Sequence, residues 1–147
     1  MKIKYRELKD YKYELTETFY HKVDIDTSIC HMPSTIDWNF YIFLSPNGFL
    51  KIKSGYCWDG PSGISFDTKN FMRGSLIHDA LYQLIRQRVL PESYREYADQ
   101  LLKKICIEDG MSKFRAEYVY RAVRLFGESS ARPQPEKENQ DIILEAP

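Results

Sequence analysis

The hydrophobic period of this chain changes once, near its middle, and that change limits the fold more than any other feature. Before residue 55, apolar and aromatic residues alternate with polar ones over Tyr11 to Leu15 and Phe49 to Lys53, and crowd together over Trp38 to Leu44. Such runs read as strands, because successive side chains of a strand point to opposite faces. Ser45-Pro46-Asn47-Gly48 separates two of them with strong turn residues, which predicts a hairpin. Thr18 to Pro33 is less regular and reads as a short strand and a connecting loop.

The second half carries helical spacing. Phe71 to Arg88 places apolar residues at 77, 81, 84 and 85, with 78 and 82 along one edge. Pro91 suits the first turn of a second helix, which carries Tyr94, Tyr97, Ala98, Leu101, Leu102, Ile105 and Cys106 and closes at Gly110. Ser112 is a candidate cap for a third helix, with Tyr118, Val119, Ala122, Val123 and Phe126 as its apolar positions and Gly127 as its stop. Between the halves, Gly55 to Gly63 holds three glycines and a proline, and Gly55 to Asn70 reads as an irregular ordered loop. The expected fold is therefore α+β: a small antiparallel sheet, a glycine-rich loop and three packed helices. One domain over residues 1–127 and a flexible, proline- and charge-rich tail over 128–147 complete the layout.

Composition narrows the functional classes. Lys plus Arg and Asp plus Glu number 21 each, so no global field favours nucleic acid or an anionic membrane. The basic residues Lys103, Lys104, Lys113, Arg115, Arg121 and Arg124 are interspersed with acidic ones, which disfavours nucleic-acid binding. Three scattered cysteines argue against a disulfide scaffold and a thiolate zinc site, and Cys57 and Cys106 read as buried. The absence of a signal-like start and of a transmembrane-length stretch leads to an expected cytoplasmic location.

One constellation carries chemistry. His78 and Tyr82 lie one turn apart on one helix face, and Asp79 points about 100° away. The short connection from Arg88 to Glu92 makes the next helix an antiparallel neighbour, which puts Asp99 level with Tyr82 and within reach of His78. A carboxylate on one imidazole nitrogen fixes the tautomer and raises the basicity of the other. Tyr82 would steady that carboxylate. Asp79, with Asp59 and carbonyls of the glycine-rich loop, would hold a hard cation that polarises a substrate carbonyl. The blander readings are a His-Asp link that satisfies a buried imidazole, and a turn at Asp59-Gly60. Arg73 and Arg86 suit either anion binding or surface ion pairing. His21, Asp24, Asp26 and His31 match no compact metal site, and Gly60-Pro61-Ser62-Gly63 lacks the lysine of a phosphate-binding loop.

GYCWDGPSG, FDTKNFMRGSLIHDALYQLIR, YADQLLKKICIEDGMS and RAEYVYRAVRLFG together resemble the domain of unknown function 1353 family of phages, prophages and bacteria, over roughly residues 33–130. That resemblance implies a phage-associated context, with the virion as a destination besides the cytoplasm, and draws attention to Asp59, Ser62, His78, Asp79, Tyr82, Asp99 and Arg124. A looser local likeness is to the small calcium-dependent secreted phospholipases, with their calcium loop, His-Asp-x-x-Tyr helix and antiparallel Asp-bearing helix. It implies His78 as general base, Asp79 as calcium ligand, Tyr82 and Asp99 as orienting groups, and carbonyls from Tyr56 to Gly63, including Gly60 and Gly63, as further ligands. The paired cysteines of those enzymes are missing here, and Trp58-Asp59-Gly60-Pro61 stands in place of their usual loop pattern.

Three functions follow as expectations. The first is a phage-type accessory or structural protein without catalysis, whose partner is a phage or host protein or a second copy. The second is a metal-assisted hydrolase of an ester or amide with a His-Asp dyad. The third is a nucleic-acid-binding accessory protein.

Overall fold

The computed structural model describes residues 1–9, 13–30, 41–58 and 68–133. Within them the chain is α+β, with antiparallel strands followed by packed helices. Strands β1 (Tyr5–Glu7), β2 (Tyr13–Leu15) and β6 (Cys57–Trp58) form one sheet in the order β1-β2-β6. Strands β3 (Phe19–Lys22), β4 (Ile42–Leu44) and β5 (Phe49–Ile52) form another in the order β3-β5-β4. The expected hairpin is β4–β5, with Leu44 opposite Leu50 and Gly48 at φ 77°, a left-handed conformation natural to glycine. Two short strands, β1 and β6, escape the sequence pattern. β6 lies inside the stretch read as irregular loop; each is only two or three residues long and too short to show alternation.

Helix α1 (Lys69–Arg86) is the centre of the molecule. It is buried almost all round, as a helix must be when it has neighbours on two sides. On one side Leu76, Ile77, Leu81, Leu84 and Ile85 join Leu15, Ile42, Leu50, Ile52 and Trp58 of the sheets. On the other, Phe71 packs with Leu102 and Cys106 of α2 (Arg95–Glu108) and Val119 of α3 (Lys113–Phe126). Gly74 permits the close approach of α1 and α2, since a Cβ there would meet Leu102 Cδ1 at 3.0 Å and Cys106 Sγ at 3.1 Å.

The helix ends follow local chemistry. Gly110 (φ 97°) closes α2 in a Schellman motif, with Met111 N–H donating to Cys106 O and Gly110 N–H to Ile107 O. α1 ends in the same bonds, Val89 N–H to Leu84 O and Arg88 N–H to Ile85 O, but with Arg88 at φ 60° in the glycine position. Ser112 caps α3, its Oγ accepting from Arg115 N–H at 3.2 Å.

Two expectations change. The buried face of α3 is Ala116, Val119 and Val123, whereas Tyr118 and Phe126 are 57% and 77% exposed. The helix carries apolar residues on two faces, and periodicity cannot say which one the neighbour covers. Beyond Gly127 a short helix α4 (Glu128–Ala131) follows and buries Ala131 in the core, so ordered chain continues into the segment read as tail.

Gly127 itself is tightly enclosed, because a Cβ there would stand 2.5 Å from Val123 O and 2.7 Å from Tyr82 Oη. Gly127→Ala is expected to destabilise the protein by about 1–3 kcal/mol, as overpacking does. Urea unfolding checks this, and an unchanged midpoint would show that the turn relaxes freely.

Candidate active site at Asp99

Two helices deliver charged and polar side chains to one buried carboxylate on a third. Asp99 on α2 is fully buried. Its Oδ1 accepts from His78 Nε2 at 2.7 Å and Tyr82 Oη at 2.6 Å, both from α1. Its Oδ2 accepts from Arg124 Nη1 of α3 at 2.8 Å. The helical spacing of 78 and 82 and the antiparallel turn into α2 place the first three groups, as the sequence predicts.

Arg95 was not anticipated. Its Nε donates to Tyr82 Oη at 3.2 Å, while Nη2 donates to Val123 O at 2.9 Å and Arg124 O at 2.8 Å. It lies one turn before Asp99 on α2, and that four-residue spacing was its available signal.

The electrostatics follow from these partners. Burial would raise the Asp99 carboxyl, but the bonds from His78, Tyr82 and Arg124 outweigh it and hold the pKa below the usual carboxylate range. Asp99 is thus an acceptor only, and His78 Nε2 must carry a proton. For His78, burial works downward, yet Asp79 and Asp99 together raise its pKa above the ordinary 6.5. Tyr82 is pushed up, by burial first and by Asp99 second, and stays a neutral donor.

The second imidazole nitrogen is the chemically open one. His78 Nδ1 lies 3.6 Å from Asp79 Oδ1, an ion-pair distance longer than a hydrogen bond. The Asp79 side chain is 22% exposed. When His78 is neutral, Nδ1 and the carboxylate are two acceptors facing each other. A water bridging them from the side, with one hydrogen donated to each, satisfies both.

The chain leading to the glycine-rich loop is pinned beside Asp79. Trp58 Nε1 donates to Ser75 Oγ at 3.1 Å, and Tyr56 Oη donates to Gln83 Oε1 at 3.0 Å. Residues 75, 79 and 83 are successive turns of one α1 stripe, so these two bonds bracket Asp79. Asp59, Gly60, Ser62 and Gly63, which continue from Trp58, lie outside the described residues.

The remaining candidates are engaged elsewhere. Arg73 is buried and forks onto Asp109, with Nε–Oδ2 and Nη2–Oδ1 both 2.9 Å, and reaches Glu108 at 3.1 Å. Arg86 donates to Ser130 O at 2.7 Å and ties α4 to α1. Lys103 and Arg121 both pair with Glu117. Asp26 caps a 3-10 turn at Thr27–Ile29. Cys57 is half-buried rather than buried, on a strand that pairs with β2 alone among the described residues. Burial pushes the Cys106 thiol up to about 12, so it stays protonated. Among the described residues, no three His, Cys, Asp or Glu side chains converge as a metal-binding group, and no helix is long and apolar enough to cross a membrane.

Compared with known proteins, the chain matches no family model, no curated protein and no solved structure.

Proposed function

We propose that the protein is a hydrolase of an ester or amide in which His78 is the general base. The observation that carries this reading is the asymmetry of its ring. Nε2 is anchored on ionised Asp99 at 2.7 Å, while Nδ1 faces Asp79, 22% exposed, at 3.6 Å. The local likeness to the small calcium-dependent phospholipases supports the same roles for His78, Asp79, Tyr82 and Asp99.

In this reading a water seated at Nδ1 loses a proton to His78 as its oxygen attacks the substrate carbonyl. Asp99 stabilises the imidazolium, and Tyr82 and Arg124 keep Asp99 fixed and charged. Collapse of the tetrahedral intermediate returns the proton from Nδ1 to the leaving group. A divalent cation would polarise the carbonyl. A calcium ion takes six to eight oxygens, whereas Asp99 is held by His78, Tyr82 and Arg124, and Asp79 faces Nδ1 with no third metal-ligating side chain converging on it among the described residues. The described side chains alone therefore do not form its site, and Asp59 with the carbonyls of residues 60–63 would have to complete it.

The test is a panel of nitrophenyl esters and anilides, assayed with added calcium and with chelator. Turnover by the wild type is expected, with a lower rate in a folded Asp79→Asn variant. A folded wild type that hydrolyses none of the panel under either condition contradicts the proposal.

A non-catalytic accessory role is the second reading. Its support is the near-complete burial of His78, which is 5% exposed, and the way Asp99 ties three helices together. The phage association implied by the family resemblance belongs to this reading.

A further inference from the structure

Helix α3 presents an apolar stripe away from the protein. With about 100° of rotation per residue, Phe114, Tyr118, Arg121 and Leu125 fall within roughly 60° of arc, opposite the packed face of Ala116, Val119 and Val123. Phe114 is 89% exposed, Tyr118 57% and Leu125 74%. A surface helix normally turns polar residues outward, so a second apolar face calls for a covering partner.

We propose that this stripe is the interface of a two-fold homodimer, formed by α3 against α3 of a second copy in antiparallel orientation. The spacing carries the argument. Positions 114, 118, 121 and 125 are separated by four, three and four residues, the a/d rhythm of a helix–helix seam. That sequence of steps reads the same in both directions. Turned about a perpendicular two-fold axis, Phe114 therefore meets the partner subunit's Leu125 while Tyr118 meets the partner subunit's Arg121. Such self-complementarity is what an isologous contact requires.

Charge agrees with this occupant. Arg121, 75% exposed at its side chain, can lie across the partner subunit's Tyr118 ring. Glu117 and Arg124 line the same flank of the stripe, so each comes within a turn of its opposite in the other copy. The net charge of zero adds no long-range repulsion between two chains. The area also suffices. Aromatic side chains bury on the order of 150–250 Å² each, so the four exposed residues of the stripe together offer about 500 Å² per copy. Together the two copies bury about 1,000 Å² before flanking residues are added, at the lower edge of specific interfaces. The dimer would also set the partner subunit's Glu117 beside Arg124, the residue that holds Asp99.

Sedimentation of the full chain from low micromolar to millimolar concentration tests the proposal. The wild type is expected to move from one to two chain masses, whereas Leu125→Glu stays at one mass with an unchanged circular dichroism spectrum. A mixture of Phe114→Cys and Leu125→Cys chains should form a mixed disulfide on oxidation. Neither variant alone should cross-link through its new cysteine, since like positions lie about 16 Å apart along the seam. A wild type that stays monomeric overturns the proposal, as does a dimer that Leu125→Glu leaves intact. Cross-linking of the Phe114→Cys chain through position 114 in isolation overturns the antiparallel register. A monomer that binds anionic vesicles through Leu125 overturns it in favour of a lipid surface.

Discussion

Asp99→Ala is expected to destabilise the protein by about 3–5 kcal/mol, the range for breaking a buried ion pair from one side. The carboxylate is fully buried and accepts from His78, Tyr82 and Arg124, which come from two other helices. Its removal leaves an imidazole, a phenol and a guanidinium without their common acceptor. It also leaves a void where the fully buried carboxylate stood. Domains of this size are stable by only about 5–15 kcal/mol, so the variant would lose a large part of its margin. Asp99→Asn keeps the volume and one acceptor oxygen and should cost less, about 1–3 kcal/mol. Chemical denaturation of the three proteins checks the order. A loss below 1 kcal/mol for Asp99→Ala would mean that the three donors find other partners.

His78→Gln is expected to lower hydrolysis about 10²–10⁴-fold while the protein remains folded, the usual range for a lost general base. Glutamine can still donate to Asp99, but it offers no basic nitrogen toward Asp79. The pH dependence separates this from a structural effect. A base must be neutral to act, and Asp79 and Asp99 raise His78, so the rate of the wild type should climb at a pH above 6.5. For stability the sign is opposite. A raised imidazole pKa contributes most below 6.5 and is lost as pH rises through the folded-state value. The wild type should therefore lose stability across the window in which it gains activity, and His78→Gln should show neither change. The acid limb belongs to Asp99, whose lowered pKa makes its contribution disappear as pH falls toward that value.

Much of this site was legible before the structure because helical geometry is rigid. The four-residue step from His78 to Tyr82 and the short turn at Arg88 leave Asp99 few places to go. Arg124 stood out only through the family resemblance, because its place depends on how α3 returns across α2, which no local pattern encodes. Arg95 was missed although it precedes Asp99 by one turn, since nothing in composition separates an arginine that braces a tyrosine from one in solvent. The same limit explains α3. Tyr118 and Val119 have equal claims to the core by periodicity, and only tertiary packing sends Val119 inward and leaves Tyr118 57% exposed. The shortest strands failed for a different reason. Cys57–Trp58 pairs over two residues, Tyr13 with Trp58 and Glu14 with Cys57, and its position is set by Trp58 reaching Ser75 rather than by strand propensity. That small strand matters to the proposal, because it and Tyr56 carry the chain to the α1 stripe on which Asp79 sits.

The most direct measurement is hydrolysis of the best ester in the panel by wild type and His78→Gln, side by side, in calcium and at a pH above 6.5, with folding of both confirmed by denaturation. The account predicts turnover by the wild type and a loss of at least about 100-fold in the variant. Equal turnover in the two folded proteins would contradict it and remove His78 as the base.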